Sequence, residues 1–132
     1  MNETQLRRVA SALGLATLAF GVTPMLAPDR FARLVGFAAP DPATASMMRS
    51  LGLRDAVMGM GLWSAAAHGG RYAPWLLART LTDVGDMLAV GIAAGRGWRN
   101  ARFLGLGALA LGGAAFDAAL YAAARRTDKA DA

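Results

Sequence analysis

From Val9 to Pro28 the chain runs for twenty residues without a charge, bounded by Arg7 and Arg8 on one side and by Asp29 and Arg30 on the other. A stretch of that length and composition spans the hydrocarbon of a bilayer as one helix, which limits the fold more than any other feature of the sequence. A cleaved signal peptide fits less well, because Pro28 directly follows the small-residue exit at Ala27. The remaining 104 residues hold three further apolar segments, each interrupted by Arg or Asp.

Helix signals divide them. Asp41 and Pro42 predict an N-cap and a first helical residue, and Gly69 and Gly70 an end, so a second helix is expected over about 42–68. A third follows over about 72–95 and a fourth over about 102–124, after a first at about 9–27. Residues 28–37 fit either a short helix lying in the membrane interface or a loop. The segment 125–132 reads as a polar, frayed tail. At 132 residues the chain is a single domain. The expected fold is all-α, an antiparallel four-helix transmembrane bundle.

A soluble four-helix bundle would need Lys and Glu in numbers on its outer faces, and the chain has one of each. The net charge of +5 belongs instead to arginines flanking apolar segments. Without a basic stripe interleaved with aromatics, nucleic acid is not an expected partner. The expected setting is the cell inner membrane, crossed several times. Six Lys or Arg on the side of the termini face five on the other, a bias too small to orient the protein. Trp63, Trp75 and Trp98 lie near predicted helix ends, as belt residues do. Gly91 with Gly95 and Ala108 with Gly112 have the spacing of close helix contacts.

The absence of Cys removes thiolate chemistry, and one His cannot build a zinc site, so neither a metal nor another cofactor is expected. His68 reads as an interfacial residue. The chemistry-bearing residues are Arg49, Arg54, Asp55, Arg79, Asp83, Asp86 and Asp117, all inside predicted spans. A charge at mid-membrane costs roughly 2.5–3.5 kcal/mol on insertion scales, so seven of them require partners or water. The expected helix midpoints fall near Asp55, Asp83 and Gly113. At 1.5 Å per residue, Arg54 and Asp83 then lie within about 2 Å of the midplane, and Arg79 and Asp117 ~6 Å toward the termini. The expected pairs are Arg79 with Asp117, and Arg54 with Asp83 or Asp86. Arg79, Asp83 and Asp86 follow one another at i, i+4 and i+7, one stripe that should face the bundle interior.

Three arginines against four aspartates leave one carboxyl without a full partner, while Arg49 can extend to the interface. A carboxyl kept from water beside other carboxyls favours its protonated form and can serve as acid or base. Asp83 and Asp86 are the first candidates, with Arg54 and Asp55 beside them and with Arg79, Asp117, Arg49 and Met58 as supporting or substrate-binding residues. The seven Met residues are adaptable packing that could also line a lipophilic pocket.

The run Arg49-Ser-Leu-Gly-Leu-Arg-Asp-Ala-Val-Met-Gly-Met-Gly-Leu, together with Arg79-Thr-Leu-Thr-Asp-Val-Gly-Asp, resembles small bacterial four-helix membrane proteins classed as a domain of unknown function. The resemblance implies the architecture and supplies no activity. Three functions fit the residues: binding, and acid/base conversion, of a lipophilic small molecule (isomerisation, cyclisation or epoxide opening); a proton-coupled transporter or a channel acting as a homo-oligomer; or a structural subunit held together by ion pairs.

Overall fold

The computed structural model describes the backbone of residues 1–130 and the side chains of residues 1–126. Five α-helices and, among the described residues, no strands make up the chain: α1 (Glu3–Leu26), α2 (Pro28–Leu34), α3 (Pro42–Ala67), α4 (Ala73–Gly95) and α5 (Ala101–Ala130). α3 and α4 lie within one residue of the expected bounds, α1 starts six residues early and α5 runs six residues past its expected end, and the short α2 lies between α1 and α3.

Local chemistry sets the ends. Asn2 and Gln5 form a capping box, each side chain accepting from the other's backbone N–H (2.9 and 3.1 Å), so α1 begins six residues before the uncharged stretch. A charge ends a hydrophobic run but not a helix. Asp41 caps α3 by accepting from the Thr44 amide at 2.7 Å, with Pro42 in the first turn. Asn100 Oδ1 accepts from the Arg102 amide at 2.9 Å where α5 starts. The segment expected as a frayed tail is helical through Ala130, and its last two residues lie outside the described residues.

α1 packs mainly on α3 and α4 mainly on α5, and the two pairs meet along lighter α1–α5 and α3–α4 seams. The α1–α3 contact is made by glycines seven residues apart on each helix, Gly14 and Gly21 against Gly59 and Gly52. A Cβ at Gly14 would lie 2.4 Å from the Trp63 backbone nitrogen, and one at Gly59 2.3 Å from that of Leu18. Only glycine allows backbones this close. The small-residue pairs expected to make such contacts do not: Gly91, Gly95 and Gly112 have nothing within 4 Å. Their spacing is right, but they face away from the other helices.

Two apolar clusters close the ends. Leu6, Leu62, Tyr72, Leu76 and Leu120 bring all four long helices together on the side of the N-terminus. Phe31, Ala32, Val35 and Met48 pack α2 onto α3 on the other side. Among the described residues, two helices, α1 and α5 over Ala101–Arg126, are long and apolar enough to cross a membrane.

Candidate functional site

Between the two apolar ends lies a band of charge. α4 supplies its axis, because Arg79, Asp83 and Asp86 sit on one stripe and that stripe faces the other helices, as the spacing predicts. Arg79 Nε donates to Asp117 Oδ2 of α5 at 2.9 Å, and its Nη1 donates to the Thr17 hydroxyl of α1. Thr17 in turn donates to the Leu13 carbonyl at 2.9 Å, so its lone pairs are aimed at the arginine. One guanidinium thereby joins three helices. Asp117 is fully buried, at 0 % exposure, and its Oδ1 has no hydrogen-bond partner among the described residues.

The second arginine closes the α3–α4 seam. Arg54 grips Asp86 with both terminal nitrogens, Nη1 to Oδ1 at 2.9 Å and Nη2 to Oδ2 at 2.7 Å. Its Nε and Nη2 also donate to Oδ1 of the adjacent Asp55, at 3.0 and 2.9 Å. The fork geometry suits a planar guanidinium between two carboxylates. This cluster is only half-buried, whereas the Arg79–Asp117 pair is almost wholly enclosed.

Of the two carboxylates expected as partners of Arg54, Asp86 is the one it takes. Asp83 makes no hydrogen bond or ion pair among the described residues. It sits between the two arginine ties, facing α5 at Gly113, where a Cβ would come within 2.7 Å of Asp83 Oδ2. The antiparallel register explains this: Arg79 and Asp83 on α4 oppose Asp117 and Gly113 on α5, each pair one turn apart. Gly113 leaves the space that the carboxyl occupies.

The other predicted residues stand apart. Arg49 is exposed on α3, five residues from Arg54 toward the helix start, and belongs to the outer surface rather than the cluster. Met58 is half-buried one turn beyond Arg54. His68 lies exposed at the α3 end, with Nδ1 2.9 Å from the Ser64 carbonyl oxygen. Among the described residues no three His, Asp or Glu side chains converge as ligands of a metal ion would. Sequence reasoning missed Thr17 and Gly113. Thr17 could have been found as the polar residue near the middle of the first helix, and Gly113 by aligning α5 against α4 from the Arg79–Asp117 pair.

The arrangement can hold two fixed cations and offer one carboxyl that neither of them engages. What fold and site define is an all-helical protein with an inward-facing band of Arg and Asp side chains. The profile of the family described as a domain of unknown function, DUF4267, matches residues 14–122. The chain belongs to that family, and the match takes in every residue of the charged band. No curated protein and no solved structure matches it.

Proposed function

We propose that the chain is a multi-pass inner-membrane protein whose four long helices span the bilayer, and that its Arg/Asp core binds a lipophilic small molecule bearing a polar group. Asp83 carries the reading. It is the carboxyl of the charged band that no arginine holds, and it sits between two that are held.

The distribution of polarity supports the membrane setting. Charge is inside, at Asp117, Arg79 and Arg54, while the outward faces carry Phe20 and Val22 on α1, Met47, Leu53 and Met60 on α3, Leu81 and Ile92 on α4, and Leu109 and Phe116 on α5. Leu81 is 64 % exposed and Leu109 73 %. Apolar patches of this extent mark a surface that meets something other than water. Only 28 % of the spanning window of α1 and 22 % of that of α5 are buried within the protein, whereas the core helix of a soluble bundle is mostly buried. α3 and α4 fall short on apolarity because of Arg54, Asp55, Arg79, Asp83 and Asp86, the residues that pair or face inward; Arg49 reaches from the outer surface toward the headgroups.

In such a site the arginine ties fix the helices, and Asp83 gives or takes the proton. A lipophile entering from the bilayer would meet one acid/base group in a site poor in water, which suits isomerisation, cyclisation or epoxide opening. The test is to purify the chain from membranes, extract it with organic solvent, and identify what leaves with it by mass spectrometry. A discrete lipophile is expected with the wild type and is expected to be lost with Asp83→Asn while the thermal midpoint is kept. Equal recovery from both proteins would remove Asp83 from the site.

A further inference from the structure

The turn between α4 and α5 builds a second feature, which the Arg/Asp core does not use. α4 ends with Gly97 at φ +97°, a left-handed conformation that suits glycine, and the Trp98 amide donates back to the Ala93 carbonyl at 3.0 Å. This closing bond folds Trp98 over the last turn of α4. Phe103 stacks on the indole with ring centres 4.8 Å apart, and Phe37 meets it edge-on at 4.6 Å, so three segments of the chain hold it there. Beside it an open recess of about 490 Å³ runs along α4, lined by Ala89, Ile92, Ala93, Arg96 and Trp98.

The recess has a polarity. Ala89, Ile92 and Ala93 lie toward the middle of the helix, and Arg96 lies at its end, ~10 Å along the axis from Ala89 and ~5 Å from Ile92. No acidic residue occurs between Asp86 and Asp117, while Arg96 and Arg99 fall in this turn and Arg102 at the start of α5. The side chains of Arg96 and Arg99 make no ion pair among the described residues. A helix C-terminus alone would repel an anion. Here the carbonyls of Ile92, Ala93 and Ala94 are taken up by the amides of Arg96, Gly97 and Trp98.

We infer that this recess seats a membrane lipid with an anionic headgroup, its acyl chain along Ala89, Ile92 and Ala93 and its head at Arg96 and Arg99. The order from hydrocarbon to cation is that of a bilayer leaflet from its centre to its surface, with Trp98 at the level aromatic belts occupy. The inference rests on the membrane reading above and is independent of Asp83.

The test reconstitutes the full chain in phosphatidylcholine vesicles doped with a minor fraction of either phosphatidylglycerol or phosphatidylcholine carrying brominated acyl chains, which quench nearby tryptophan. Subtracting the signal of Trp98→Phe isolates Trp98 from Trp63 and Trp75. Quenching of Trp98 is expected to favour phosphatidylglycerol by roughly five-fold for each arginine engaged. Arg96→Gln with Arg99→Gln should bring the two lipids to parity, and Ala93→Leu, which narrows the recess, should reduce quenching by phosphatidylglycerol alone. Equal quenching by both lipids in the wild type, or a preference that survives the double arginine replacement, overturns the site and leaves the membrane reading standing. Quenching of no tryptophan by either lipid overturns the membrane reading and the site with it.

Discussion

The α1–α3 pair and the α4–α5 pair are built on different principles within one small chain. In the first, glycines at Gly14, Gly21, Gly52 and Gly59 bring backbone against backbone and leave no room for a side chain. In the second, glycines of α5 meet side chains of α4, Gly107 at Val90 and Gly113 at Asp83, a Cβ at Gly91, Gly95 or Gly112 would meet no atom within 4 Å, and α4 is fixed by long arginine–carboxylate ties, to α5 through Arg79 and to α3 through Arg54. The first pair is a rigid frame. The second is tied through charged side chains, with the Asp83 carboxyl seated against Gly113.

Glycine replacement tests this contrast most severely. Gly59→Leu should cost upwards of about 3 kcal/mol, since its Cβ would overlap the Leu18 backbone. Gly91→Leu should change stability by no more than about 0.5 kcal/mol, since nothing lies within 4 Å. Thermal unfolding of the two variants in the same detergent compares them, and similar losses would erase the distinction between the pairs.

The two arginine ties should rank next, and unequally. Asp117→Ala leaves Arg79 enclosed without its counter-ion and is expected to cost about 3 kcal/mol. Replacing both partners by apolar residues should recover much of that loss, because desolvation of the pair then disappears as well. Arg54→Gln, in a cluster whose side chains are 21–35 % exposed, should cost only about 1 kcal/mol. A double-replacement cycle on Arg79 and Asp117 gives the coupling directly, and a value near zero would reduce the tie to a coincidence of position.

The smallest effect expected is at the start of α3. Hydrogen bonds from Thr44, its backbone amide first, hold the Asp41 carboxyl below the ordinary value of 3.8. The carboxyl therefore adds stability above that value and loses it as pH falls through its lowered folded-state value. The protection of the Thr44 amide, its exchange measured against the intrinsic rate at each pH, should fall on acidification below pH 3.8, while amides at the Gly14–Gly59 contact keep theirs. Protection lost equally at both places would mean that the frame is not locked as described.

The frame and the charges differed in how far the sequence revealed them. Charges were legible because they are rare and costly in apolar segments, so counting residues from helix midpoints was enough to align Arg79 with Asp117. Depth set Arg54 level with Asp83 and left Asp86 as the other partner, and Arg54 takes Asp86; the choice depends on which way each side chain turns about its helix axis. The glycine contact was not legible for the opposite reason. In a chain with 16 glycines, spacing alone does not separate Gly14 and Gly21, which touch a neighbour, from Gly91 and Gly95, which do not. The signal was the matched seven-residue interval on two antiparallel helices, which emerges only when α1 is laid against α3. Helix ends were legible where a proline or a glycine pair marked them and not where Asn2 and Gln5 cap one another.

Reaction with a lipophilic carbodiimide tests the account at its centre. The reagent partitions into bilayers and modifies carboxyl groups that hold a proton and lie open to it, and peptide mapping by mass spectrometry locates the adduct. In native membranes the account predicts modification at Asp83, with Asp86 and Asp117 protected by Arg54 and Arg79. Modification of Asp86 or Asp117 in place of Asp83, or of all three alike, would contradict it.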